Sequence, residues 1–258
     1  MALNLHRFPQ EQSLLADLKK AANSYILPGY VPAAPFLARN SPIISVGSCF
    51  AENIAETLQR VGAHASLLRI EEVGNTPFVL STQISKIIAR QQTHVEFLPV
   101  LESASLLIMT VGVALQRFDG NQPDLSSGIS SADKWRMFSV EEVVSYISST
   151  IRAVRQVNPK VHIVLTLSPI PLKASPNHPS VFGQDCVSKS VIRVAIENIL
   201  NSGLNNISYW PAFEIIRWLG GHSGPFFGVG GAKNNRHINP QILDQIMELF
   251  VEKYFYPA

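Results

Sequence analysis

Apolar residues along this chain fall into two alternating patterns. In one, nearly every position is apolar over a short run: Ile43-Ile44-Ser45-Val46-Gly47, Ala65 to Ile70, SLLIMTV from Ser105, Val161 to Leu167, and Ile207 to Trp210. Such runs read as strands buried on both faces. In the other, apolar positions recur every three or four residues. Phe50, Ile54, Leu58 and Val61 make a helical stripe over Cys49 to Val61, with Gly62 as its stop. Leu80 to Arg90 reads as a second helix. Ser139-x-x-Glu142 is a capping box ahead of Val140, Val143, Val144, Ile147, Ile151 and Val154, which hold the helical period for four turns. A further helix runs through Val191, Ala195, Ile196 and Ile199, and the last begins at Asn239-Pro240, with Asn as cap and Pro at the first position. Strands alternating with amphipathic helices predict an α/β fold, a mostly parallel sheet covered on both faces.

Three segments interrupt the alternation. Residues 1 to 40 lack a clear period, and LPGYVPAAPFLARNSP holds four prolines, so a helical stretch near Glu11 to Ser24 followed by an extended arm is expected. Arg117 to Phe138 is polar and longer than ordinary connections, which marks a functional or mobile loop. Six of the fifteen glycines crowd into GGHSGPFFGVGG, Gly220 to Gly231. With no repeat and no linker signature, the organisation expected is an N-terminal arm at 1–40 and one domain at 41–258, with insertions at about 117–138 and 220–233.

Composition narrows the function. Charged residues are 16% and hydrophobic ones 46%, which excludes disorder and supplies a full core. The net charge of +2 comes from scattered basic residues, so no footprint for nucleic acid or an anionic membrane appears, and a small or neutral partner is expected. Two cysteines are too few for a disulfide framework. The first twenty residues lack an apolar h-region, and the longest apolar runs stop short of the ~20 residues of a membrane span. A soluble cytoplasmic protein is expected. The histidines lack metal-ligand spacing, GVGGAK lacks the ending of a phosphate loop, and neither metal nor cofactor is implied.

Ser48 lies where the first core strand hands over to its helix, at the carboxyl edge of the sheet where ligands bind in open α/β folds. Free backbone N–H groups at a helix N-terminus can hold an oxyanion there. The ordinary alternative is a serine that simply caps the helix. His237, in NNRHINP just before the last helix, is placed to approach the same edge, and a base near a hydroxyl is the minimum for nucleophilic catalysis. Cys49 is the rival nucleophile, since a helix N-terminus favours thiolate.

Gly47-Ser48-Cys49-Phe50-Ala51 resembles the signature of the GSCFA family, a branch of the SGNH (GDSL-like) hydrolases. The resemblance continues through Asn75-x-Pro77, Thr110-Val111-Gly112, Asn158-Pro159, Leu167-Ser168-Pro169, Ser188-Lys189-Ser190, Trp210-Pro211-Ala212-Phe213-Glu214 and His237-x-x-Pro240, covering about residues 40 to 255. It implies a flavodoxin-like three-layer αβα fold and ester chemistry with Ser48 as nucleophile and His237 as base. The oxyanion hole would use the N–H of Ser48, with Gly74 and Asn75 standing in for the family's glycine. Gly112, which follows the strand ending at Val111 where the superfamily has an asparagine, is the candidate for the third oxyanion or substrate-binding position. A second departure is Asn234, three residues before His237, where SGNH enzymes have the aspartate that orients the imidazole; Glu214 is the substitute acid considered. The reading is a serine ester hydrolase or O-acyltransferase, with an acylated carbohydrate as the substrate class the family suggests. The alternative is an SGNH-like ligand-binding protein that has lost the acid.

Overall fold

The computed structural model describes residues 6–70, 75–90, 96–125, 134–176, 178–228 and 235–257. In chain order the strands are β1 (Pro42–Gly47), β2 (His64–Arg69), β3 (Leu106–Val111), β4 (Leu115–Asp119), β5 (Gln122–Pro123), β6 (Lys134–Met137), β7 (His162–Leu167) and β8 (Ile207–Tyr209). The helices are α1 (Leu18–Ala21), α2 (Cys49–Arg60), α3 (Pro77–Ile88), α4 (Phe97–Ser103), α5 (Val140–Val157), α6 (Val181–Leu200), α7 (Ala212–Glu214) and α8 (Pro240–Tyr254).

Five strands form a parallel sheet in the order β2-β1-β3-β7-β8. Strand addition reverses direction between β1 and β3, so a crevice opens outside their carboxyl ends at that point. Alternate residues of each strand face opposite layers. Ile43, Leu106, Ile108 and Val164 pack with α2, α8 and the N-terminal segment. Ile44, Leu107, Met109, Ile163 and Leu165 pack with α3, α5 and α6. This is the three-layer α/β fold the alternation predicts, and the capping box of Ser139 and Glu142 is present at α5.

The differences have local causes. α3 starts at Pro77 rather than Leu80, because Thr76 caps it and Pro77 takes the first position. The polar insertion is not one loop. Its ends form an antiparallel sheet, β5-β4-β6, and along β6 Lys134, Trp135, Arg136 and Met137 alternate between exposed and half-buried. The N-terminal segment, with the expected helical stretch, packs onto the domain. Leu15, Leu18, Ala21, Leu27 and Leu37 are buried in the main core, around a short α1 and a π-helical turn at Ala22–Ile26. Tyr30 O accepts from Tyr209 N, which covers part of the exposed edge of β8.

At the amino end of the sheet, His162 packs its ring against Phe36, and its Nε2 lies 2.9 Å from Ser208 Oγ. Burial, with Arg155 nearby, pushes its pKa from the usual 6.5 down to about 4. Below pH 6.5 the unfolded chain takes up a proton that the folded chain refuses until about pH 4, so the contribution present above 6.5 is lost as pH falls through that window. Allowing for the solvent that reaches the ring, the loss is on the order of 2 kcal/mol. Urea unfolding at pH 7.5 and 4.5 should show this difference in the native chain and a smaller one in His162→Gln. An equal pH dependence in both would remove His162 as its source.

Candidate active site

The site is assembled from the loops that follow β1, β2, β3 and β7. β1 ends at Gly47, with φ of 144°. A Cβ there would fall 2.8 Å from Thr110 Cβ and 2.9 Å from Thr110 O, so only glycine lets the chain turn into α2 this close to β3. The turn puts Ser48 at the N-cap of α2, 5% exposed. Its side chain caps nothing. Instead, Ser48 Oγ accepts a hydrogen bond of 3.1 Å from Asn75 Nδ2 and lines a cleft. The ordinary capping role is therefore set aside for this serine. Cys49 is half-buried, packs against the core beside α2 and does not line the cleft.

Asn75 is 1% exposed and ties two loops together. Its carbonyl accepts from Gly112 N at 3.2 Å and Val113 N at 3.1 Å, while its carboxamide reaches Ser48. The amino group in the site thus comes from the loop after β2, as a side chain. Sequence reading assigned Asn75 there only as a stand-in for a glycine. Gly112 takes a different part from that of oxyanion donor: its N–H is engaged by Asn75, and its missing Cβ leaves room for the carboxamide, since a methyl there would lie 2.9 Å from Asn75 Nδ2. Among the described residues Asn75 Oδ1 is buried with no hydrogen-bond partner, a cost of about 1–3 kcal/mol that protein interiors seldom carry without a use. Gly112→Ala should push the carboxamide off Ser48 and lower kcat/KM toward a good ester substrate at least ~10-fold, with little change in Tm. Unchanged turnover in the folded variant would show that the bond is dispensable.

The opposite wall is the chain after β7, residues 168–176, and it is held from behind. Lys189 Nζ, 2% exposed, donates to Gly112 O at 2.7 Å and Ile170 O at 2.8 Å. Ser188 Oγ accepts from Ala114 N. Asp185 Oδ1 accepts from Leu172 N, and its Oδ2 accepts from Arg217 Nη2. This gives Ser188-Lys189 a structural task that spacing alone did not reveal: α6 fixes the ends of β3 and β7 relative to each other.

Arg236 Nη2 donates to Pro171 O at 3.1 Å, which brings the segment next to His237 against a residue lining the cleft. His237 is half-buried, and its carbonyl accepts from Gly228 N beside a bridge between Phe227 and Ile238. Among the described residues no hydrogen bond joins its ring to Ser48. Glu214 is engaged elsewhere: Oε1 accepts from Arg193 Nε at 2.5 Å and Oε2 from Tyr209 OH at 2.7 Å. The structure therefore does not bring Glu214 together with His237. Desolvation and the Glu214 charge together hold the Tyr209 phenol well above its usual pKa. Gly74 and Asn234 lie outside the described residues. Among the described residues no cluster of metal-ligating side chains occurs, and no helix is long and apolar enough to cross a membrane.

Residues 81–250 match the model of the GSCFA family. No curated protein matches the chain. Among solved structures, a carbohydrate esterase family 2 enzyme with its carbohydrate binding domain, from Corynascus thermopiles (Myceliophthora fergusii), is 14% identical at a TM-score of 0.50, covering 85% of this chain and 66% of that one. A family two carbohydrate esterase from Clostridium thermocellum, in complex with cellohexaose, is 11% identical at 0.44, covering 85% and 64%. The periplasmic domain of a lipopolysaccharide acetyltransferase from Salmonella ser. Paratyphi A is 11% identical at 0.44, covering 91% and 87%. The chain spans about two thirds of the length of the two esterases, and at these identities the likeness is one of fold.

Proposed function

The chain belongs to the GSCFA family, and from the geometry of its cleft we propose that it is a serine esterase or O-acyltransferase working through an acyl-enzyme. One observation carries the reading: a buried serine at the switch point of the sheet whose hydroxyl leaves the helix uncapped and meets the Asn75 amide inside a cleft. Ser48 Oγ attacks the ester carbonyl while His237 takes its proton. The negative charge that develops on the carbonyl oxygen is met by Asn75 Nδ2 and by the N–H of Ser48 at the positive end of α2, with the Gly74 N–H as the further donor that the family resemblance implies. Collapse breaks the ester C–O bond, and His237 returns the proton to the departing alcohol. A water or a sugar hydroxyl, deprotonated in turn by His237, then attacks the acyl-enzyme; the Ser48 Oγ–acyl bond breaks, His237 returns the proton to Ser48, and a carboxylic acid or a new ester is released. His237 enters this scheme from the family resemblance, and Arg236 against Pro171 supports its position beside the cleft. The likeness in fold to a carbohydrate esterase makes O-acylated sugars the first substrates to try.

A second reading, a ligand-binding protein that keeps the crevice, is favoured by the acid position. Asn234 stands where the family resemblance expects the orienting aspartate, and no described carboxylate bonds to His237; in serine proteases an Asp to Asn change at the orienting position costs ~10⁴ in kcat. Labelling with a fluorophosphonate probe followed by peptide mapping separates the two. The enzyme reading expects one label per chain, on Ser48. Label on Cys49, or none, would overturn it.

A further inference from the structure

We propose that the cleft beside Ser48 is an acyl slot sized for an acetyl group, with Leu115 and Trp135 setting its upper limit. This rests on the serine reading above and adds the substrate's acyl part to it. The polar side chains at the reacting end are Ser48, Asn75 and Ser168, and Lys173 also lines the cleft, whereas the facing surfaces are mostly apolar: Leu115 and the Trp135 ring from the small sheet, Ile170 and Leu172 from the chain after β7. A sugar ring, carrying a hydroxyl on most carbons, would leave those groups unpaired against such walls, so the slot suits the acyl part of an ester.

Its size makes the assignment narrower. The space open to the centres of water-sized spheres is about 40 Å³, and one water needs roughly 10–15 Å³ by that measure. The room is that of about three waters, which matches the three heavy atoms of an acetyl group. The walls are anchored against yielding. Ile170 O is held by Lys189 Nζ, and Leu172 N by Asp185 Oδ1. Leu115 and Trp135 belong to paired strands, Leu115 opposite Met137 and Trp135 opposite Arg117. The insertion that the sequence marks as a polar loop thus supplies the Trp135 ring to the site, and Leu115 joins it from the start of β4.

The test is a chain-length series, p-nitrophenyl acetate, butyrate and octanoate, on the full chain with spontaneous hydrolysis subtracted. The expected kcat/KM favours acetate over butyrate by ~10-fold or more, the range one or two methylenes command in a pocket, with octanoate slower still. Leu115→Ala and Trp135→Ala should each raise butyrate relative to acetate by about the same factor. If Trp135→Ala fails to fold, Leu115→Ala and the native series decide alone. A native preference that is flat or rises with chain length, or a ratio unmoved in the folded variants, overturns the slot while leaving the serine reading intact. No turnover of any ester together with no fluorophosphonate label on Ser48 overturns the serine reading, and the slot with it.

Discussion

Ser48→Ala is expected to lower kcat/KM by at least ~10⁴-fold while leaving the fold in place. Where a nucleophile, base and oxyanion donors act as a unit, removing the nucleophile forfeits nearly all of their joint effect. Stability should respond weakly. An N-cap serine replaced by alanine ordinarily costs about 1 kcal/mol, but this hydroxyl makes no bond to the α2 backbone. What disappears is a single bond from Asn75 Nδ2, worth about 0.5–1.5 kcal/mol net. The combination of lost turnover and a nearly unchanged Tm is the signature to seek in paired kinetic and thermal measurements. Full activity in Ser48→Ala, with loss in a well-folded Cys49→Ala, would exchange the roles of the two residues.

Asn75→Ala is expected to reduce kcat by about 10²–10³-fold with a small effect on KM, the size found when one oxyanion donor is removed. The split follows from where the amide sits: a donor beside Ser48 Oγ matters most when the neighbouring carbonyl oxygen becomes charged. The substitution leaves Asn75 O in place for Gly112 and Val113 N, so the tie between the loops after β2 and β3 survives. It also removes Oδ1, buried without a partner among the described residues, which offsets the lost amide bond. A purely structural Asn75 would show the opposite pattern, a falling Tm with kcat preserved in the folded fraction. Asn75→Asp should be slower than Asn75→Ala, because it places a carboxylate next to the developing negative charge.

The sheet was legible because its strands are apolar on both faces and its helices carry clear stripes; Ile43 to Val46 and Leu106 to Val111 admit no other arrangement. Ser48 was legible for a related reason, since a serine between a buried strand and an amphipathic helix has to stand at the carboxyl edge. The Asn75 carboxamide was not. Its task depends on an empty Cβ position at Gly112, 37 residues downstream, and no local pattern records such a contact. Trp135 was hidden by the polarity of its surroundings, although the alternation over Lys134 to Met137 is the period of a strand. Glu214 could be placed after β8 from the sequence, but its partner Arg193 lies a full helix away in α6. Nothing along the chain announces that pairing.

The way the two ends of the chain meet bears on the order in which the molecule can be completed. Phe36 N and Leu37 N donate to Tyr254 O, and Tyr256 N donates back to Leu37 O. Lys19 pairs with Glu248, and α8 shares a core with α2 and the N-terminal segment. β1 to β3, β7 and the helices α3, α5 and α6 all precede α8 in the chain, so that layer can close first. The layer holding α2 cannot, because α8, which completes it, follows α2 by about 180 residues. Until then the apolar faces of α1 and α2 stay uncovered, which makes this half of the nascent chain the one most in need of a chaperone.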